Sequence, residues 1–419
     1  MAPSRRRFLA ALPGLAAAVT AAAQERRTPR VLLRSAWQTV NIGDIGHTPG
    51  MVALLTELIP GVELTLWPGN LGDGVKPMLQ KHFPALRFAD TAEARRAAFD
   101  RCDFLLHGSG PSLVGGRQVA EWRDATKKPY GVLGITLGAA DAATRATLDG
   151  ARFLYLRDSG SVEWARQAKL ACPVIDFAPD AAFSTTIRDD AGAEAYLRAA
   201  GLWGESFVCF IPRLRFTPYW LIRNTPMTDA DREKDRTNQR LKEADHAKVR
   251  AALVALVRDA GLKVLVCPED KSHMAVGKEL LVDPLPADVR AKVVWREHYW
   301  LTDLAVAVYA RSAGLVSMDM HSPIMAVGNG VPAIHCRFAE QTSKGRMWRD
   351  VGLGDWLFDL DEERDGARIT AAALAMVRDR DATRARVAKA RAFVTAKQRA
   401  AVTTLTQSLP ASRPPSGGG

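Results

Sequence analysis

The feature that most constrains this chain is an alternation, carried through twice, between short runs of large apolar residues and longer stretches with helical spacing. In the first half "RVLLRSA" leads into "TPGMVALLTELI", "VELTLWP" into "GVKPMLQKHF", "CDFLLHGSG" into "GRQVAEWRDAT", "PYGVLGITLG" into "AATRATLDG", and "RFLYLRD" into "SVEWARQAKL". Strands that are apolar throughout and joined by helices are parallel strands covered on both faces, because a parallel connection needs a crossover long enough to hold a helix. The set closes near "PVIDFAPDAAFS", which predicts an α/β domain over residues 30–184. A second set runs from "SFVCFIPRL" through "LKVLVCPED", "AKVVW" and "GLVSMDMH" to "VPAIHC", predicting another open α/β domain over 206–358. Residues 217–245 are polar and without a clear period, which predicts a long surface loop or lid. Beyond the second domain, 365–400 reads as one Ala-rich helix with a solvated basic face, and 410–419 as a disordered tail.

The formal net charge is +11, but the Lys and Arg residues are not gathered on one recognisable element, so nucleic acid is not expected as a partner. Three of the positive charges stand in Ser4-Arg5-Arg6-Arg7-Phe8-Leu9, ahead of a short apolar stretch ending in Ala21-Ala22-Ala23. That is the pattern of a twin-arginine export signal over residues 1–23, and its apolar stretch is short for a bilayer. A mature chain beginning near Gln24, extracytoplasmic or periplasmic and without a transmembrane span, is the expectation. The five cysteines (Cys102, Cys172, Cys209, Cys267, Cys336) are odd in number and form no CxxC, which argues against a disulfide framework or a zinc site. They read as buried small hydrophobes.

In open parallel sheets ligands bind beyond the carboxyl ends of the strands, so residues just after each strand carry the chemistry. After the first strand come Asn41, Gly43 and Asp44, a turn ahead of Thr48-Pro49, where a helix is expected to start and to offer backbone N–H groups to an anion. Ser109 and Gly110 form a similar loop after "CDFLLHG", with His107 as a candidate core histidine. The second domain supplies cations at successive strand ends: Arg213 and Arg215, then Lys271, then Arg337 and Lys344. Together they favour an anionic ligand. In Ser317-Met318-Asp319-Met320-His321, Asp319 and His321 share a face if the segment is extended. A carboxylate beside an imidazole orients it and suits it to proton transfer near neutral pH. Ser322 is the expected helix cap that follows.

Taken together these segments resemble the polysaccharide pyruvyl transferase family. The resemblance runs from "VNIGDIGHTPG" through "DFLLHGSGPSL", "YGVLGITLG", "ARFLYLRDSGSVEWA" and "APDAAFS" to "YARSAGLVSMDMHSPIMAVGNGVPAIHC". It implies two Rossmann-like domains in a glycosyltransferase-B-like arrangement with the active site in the cleft. It also implies transfer of the enolpyruvyl group of phosphoenolpyruvate to a sugar hydroxyl as a pyruvate ketal, with a polysaccharide or oligosaccharide acceptor. No cofactor is expected, and although Asp44, Asp319 and His321 could ligate a cation, no zinc-like spacing supports a metal site. His321 matches the histidine of the family's Ser-x-Arg-x-His pattern, while Asp319 stands where the family usually has Arg. That change of sign requires another cation, such as Arg213, Arg215, Arg337 or Lys344, or else a different anionic donor. An extracytoplasmic enzyme on the same fold using another donor or water, and a non-catalytic glycan-binding protein with Tyr219, Trp220 and Trp300 as stacking surfaces, are the competing readings.

Overall fold

The structure, a computed structural model, describes residues 28–410 apart from positions 342 and 365 and the side chain of 344. The expected export signal, most of the expected tail and the Lys344 side chain lie outside the described residues. The first sheet has seven strands: β1 (Arg30–Ser35), β2 (Glu63–Pro68), β3 (Arg87–Phe88), β4 (Phe104–His107), β5 (Tyr130–Ile135), β6 (Leu154–Leu156) and β7 (Ile175–Phe177). They are all parallel, in the order β3-β2-β1-β4-β5-β6-β7. The second has six: β8 (Phe207–Ile211), β9 (Lys263–Val266), β10 (Val293–Trp295), β11 (Gly314–Ser317), β12 (Ala333–Arg337) and β13 (Leu357–Asp359). Their order, β10-β9-β8-β11-β12-β13, repeats the winding of the first. The central strands are apolar because helices cover them on both sides; Val31 to Leu33 and Val208 to Ile211 have no exposure at all. The winding direction reverses between β1 and β4 and again between β8 and β11, which leaves a crevice at each carboxyl edge.

Three local expectations are corrected. The first helix starts at Ile42, not at Thr48-Pro49: Asn41 caps it through Oδ1, 2.7 Å from Gly43 N, and Pro49 lies inside it. Thr48 spends its hydroxyl on Ser35 and Ala36. Most of the presumed loop 217–245 is helical, because a helix runs Asp229–Arg258. Thr228 and Asp231 form its capping box, and Arg232–Asp229 and Arg236–Glu233 pairs support a first half with little apolar face. The expected single C-terminal helix is two, Ala367–Arg378 and Arg380–Ser408, broken at Asp379, whose side chain caps the second.

The two domains meet along glycine-bearing helices. Helix Ile42–Leu58 packs on helix His321–Gly328 and on the short turn Ala181–Ser184. A β-carbon on Gly328 would stand 2.0 Å from the Phe183 carbonyl oxygen, so the backbones of the two domains approach as closely as they do only because none is there. Helix Arg380–Ser408 then ties the halves together: Val387, Ala390 and Val394 pack into the second domain's core, and Ala401, Val402 and Leu405 into the first's. Among the described residues no helix is long and apolar enough to cross a membrane, and all five cysteines are buried and free.

Candidate active site between the facing sheet ends

The two crevices face each other and are stitched by backbone. Ile42 N donates to Glu269 O at 2.9 Å, Lys271 N donates to Val40 O at 3.0 Å, and Thr302 Oγ1 donates to Ile42 O at 2.7 Å. Asn41 and Asp270 form an isolated antiparallel bridge. These contacts carry the start of helix Ile42–Leu58 directly onto His321, and a β-carbon on Gly43 would meet His321 Cβ at 2.1 Å.

His321 opens the helix His321–Gly328. Ser322 does not cap it. The Glu269 carboxylate, delivered by the loop after β9, caps it instead: Oε2 accepts from Ser322 N at 2.6 Å while Oε1 lies 3.2 Å from His321 Nδ1. The Ser322 hydroxyl turns to Tyr309. One carboxylate thus orients the imidazole and satisfies the helix start.

Asp319 is fully buried and ion-paired with Arg213, with its Oδ1 accepting from Met320 N at 2.8 Å. Asp319 thus pairs with Arg213 and His321 with Glu269, and ligand atoms of Glu269, Asp319 and His321 all lie within 4.8 Å of one another. The strand stops at Ser317 and the chain turns into the helix, so residues 319 and 321 do not present themselves as alternate members of an extended strand. Arg213 is the cation that faces Asp319. Burial lowers its pKa, but Asp319, Asp270 and Glu269 more than reverse that, raising it above the ordinary arginine value. Its Nε is buried without a hydrogen-bond partner.

Across the interface, His47 is fully buried. Its Nδ1 lies 2.8 Å from Asp180 Oδ1 and 2.8 Å from Ser109 Oγ. Asp180 also receives Arg157 Nη1 at 2.6 Å. Burial alone would raise the Asp180 pKa, but His47 and then Arg157 hold it well below the ordinary aspartate value. The ring of His47 meets that of His321 edge-on, with centroids 5.0 Å apart. Asp44, the least buried member of this group, takes a hydrogen bond from Gln38, whose other neighbour is the half-exposed Tyr219 hydroxyl at 3.4 Å. Next to Glu269, Asp270 Oδ2 lies 3.2 Å from His273 Nε2.

Several expected ligand-binding residues prove occupied. The helix N–H groups that were to hold an anion are taken, Ile42 by Glu269 O and Gly43 and Asp44 by the Asn41 side chain. Gly43 makes room for His321 rather than for a ligand. Ser109 supports His47, and the Gly110 backbone bridges to Ile135. Arg215 does not project with Arg213, because β8 ends at Ile211. It sits in a network with Asp245, Glu340 and Asp361. Lys271 crosses the interface to Asp73 at 3.0 Å, and Arg337 pairs with Asp359 toward the outer edge of the second sheet. His107 is a satisfied core residue, bonded to Gly108 O and Gly115 N, and burial pushes its pKa down to about 3. Trp220 and Trp300 are buried, so of the three aromatics considered for stacking only Tyr219 reaches the surface of the cleft. The sequence reading did not single out His47, Asp180, Glu269 or Asp270. The strand-end rule would have pointed to the last three, which stand in "APD" and "CPED".

Residues 41–338, from the cap of the first helix to just past β12, match the family model for polysaccharide pyruvyl transferase. The chain belongs to the polysaccharide pyruvyl transferase family. This makes it a polysaccharide-modifying transferase, and the cleft just described lies within the matched residues. Among solved structures this family member is similar to a UDP-N-acetylglucosamine 2-epimerase, at 11% identity and TM-score 0.57, over 94% of this chain and all of that one. It is also similar to UDP-GlcNAc 2-epimerase from Neisseria meningitidis bound to UDP-GlcNAc, at 10% identity and TM-score 0.54, over 90% and 100% of the two chains. Anabaena HepE in complex with UDP matches at 9% identity and TM-score 0.53, over 91% and 100%. At such identities these likenesses show the fold alone, and that fold is the glycosyltransferase-B-like pairing of two Rossmann-like domains. No curated protein matches the chain.

Proposed function

We propose that this pyruvyl transferase family member forms a pyruvate ketal on a glycan, taking the three-carbon unit of phosphoenolpyruvate, with the reaction at the facing sheet ends. The observation that carries the reading is the His321–Glu269 pair: an imidazole held at Nδ1 by a buried carboxylate, at a helix start, in the position of the family's histidine. Two sugar oxygens bond to C2 of the donor and its C2–O bond to phosphate breaks. One hydroxyl proton ends on the methylene carbon, which becomes a methyl group, and the other leaves with phosphate. His321 carries the first of these protons, and Glu269 orients it. Arg213 supplies the guanidinium for the donor's anionic groups. Incubating the protein with phosphoenolpyruvate and a panel of glycans should release phosphate and produce a ketal methyl resonance. No phosphate release, no methyl signal and no thermal stabilisation by phosphoenolpyruvate across the panel would overturn this reading.

A second reading is favoured by the charge of the site. Glu269, Asp270 and Asp319 all act on the guanidinium of Arg213, which is already paired with Asp319. A trianionic donor gains less there than beside an unpaired Arg, so a less charged donor, or water acting on a glycan already modified, suits the same cleft. The Ser4 to Leu9 motif supports the same reading, since it has the pattern of an export signal and phosphoenolpyruvate is a cytoplasmic metabolite. N-terminal sequencing of the protein from an extracytoplasmic fraction should give a start near Gln24; a full-length cytoplasmic protein would remove that argument.

A further inference from the structure

The His47 ring poses a chemical problem that the transfer reaction does not use. Its Nδ1 faces the Asp180 carboxylate, which only accepts, so in the neutral ring the hydrogen sits on Nδ1 and Nε2 carries a lone pair. That Nε2 has no hydrogen-bond partner although the residue is fully buried. It points at Asp44 Oδ1, 3.9 Å away. The distance is too long for a hydrogen bond. It is right for two ligands of one ion, since atoms bound at about 2.0–2.2 Å stand about 3–4 Å apart.

A ring nitrogen of His321 completes the group: one ligand atom each from Asp44, His47 and His321 lies within 4.8 Å of the others. Both imidazoles are held at Nδ1 by carboxylates, His47 by Asp180 and His321 by Glu269. That is the outer-shell support that fixes the tautomer and raises the basicity of a metal-bound histidine. Gln38 holds the other oxygen of Asp44, leaving Oδ1 toward His47. We infer that Asp44, His47 and His321 form a divalent transition-metal site bridging the two domains. Two imidazoles and one carboxylate select a borderline ion such as Zn2+, Co2+ or Fe2+ over Ca2+ or Mg2+, and three protein ligands leave coordination positions for water or a ligand oxygen.

The site does not depend on the identity of the donor. It takes His321 as a ligand, so a loaded site and proton transfer through the same nitrogen exclude each other, and the two proposals can fail separately. The test uses the chelator-stripped full chain titrated with Co2+, read by visible absorption and by calorimetry. One Co2+ per chain is expected, with binding weakened at least about tenfold in Asp44→Asn and in His47→Gln. Thermal melts of both variants control for folding. Asp44 is the more exposed ligand, so Asp44→Asn decides the matter if His47→Gln does not fold. Absence of Co2+ binding to the wild-type chain, or binding unchanged in Asp44→Asn, overturns the site. If transfer activity is found, Co2+ should inhibit it in step with occupancy; activity that instead requires the ion would keep the site and sink His321 as the proton carrier.

Discussion

Gly43 and His321, one from each domain, touch so closely that a β-carbon on residue 43 would fall 2.1 Å from the His321 β-carbon. The first helix can therefore lie on His321 only with glycine at this position. Gly43→Ala should push His321 away from Glu269 and loosen the interface, costing about 1–3 kcal/mol of stability and lowering turnover. Denaturant midpoints and transfer rates of that variant check this, and a variant with both unchanged would mean that the domains do not close on His321 as described.

Asp319 and Arg213 form a pair in which the carboxylate is fully buried. Removing only the cation leaves an uncompensated charge, so Arg213→Met should cost about 3–5 kcal/mol. The double change with Asp319→Leu should cost less than the sum of the two single changes. A double-mutant cycle by urea denaturation measures the coupling, and additive losses would contradict it.

The acid limb of stability should depend on Asp180. His47 and Arg157 hold its pKa well below the ordinary 3.8 despite burial. Its contribution is therefore complete above pH 3.8 and is lost as pH falls through the lower folded value. Asp180→Asn should lower the melting temperature at neutral pH and flatten its decline below roughly pH 4. Melting curves across that range decide it.

His273 should act on the opposite side. Burial lowers its pKa, but the Asp270 carboxylate outweighs burial and lifts it above 6.5. Its stabilisation is full below pH 6.5 and disappears as pH rises through the folded value. In His273→Gln the wild-type loss of stability above pH 6.5 should shrink, which chemical denaturation at a series of pH values would show.

Leu405, without exposure, belongs to the first domain's core although it follows the second domain in sequence. Leu405→Ala should cost about 2–5 kcal/mol. Hydrogen exchange should place the loss in β1, β2 and β4 as well as in the helix itself.

The two sheets were legible because buried parallel strands such as Val31–Leu33 and Val208–Ile211 write themselves as unbroken apolar runs. The short edge strands β3, β7 and β13, of two or three residues, leave too little pattern to separate from turns. Helix Asp229–Arg258 hid behind a polar first half held by ion pairs rather than by an apolar face. In the site, the strand-end rule located Asp44, Arg213, Asp319 and His321, but not Glu269, which holds the His321 ring. Which carboxylate meets which cation is decided by strand order: Glu269 reaches His321 because β9 lies two strands from β11, with β8 between them. The metal ligands Asp44, His47 and His321 come from both domains, so no local spacing of the zinc-finger kind announces them.

The returning helix sets a limit on biosynthesis. Tyr155 bonds Thr404 at 2.7 Å, and Gln398 Nε2 reaches the Asp180 carbonyl at 3.1 Å, so the floor beneath His47 is finished by residues made long after β1. The amino-terminal half cannot seal its interior while it is still emerging from the ribosome. Its closing pieces stand within the last twenty-odd residues of the sequence, so the first half acquires its complete interior only when nearly the whole chain is present.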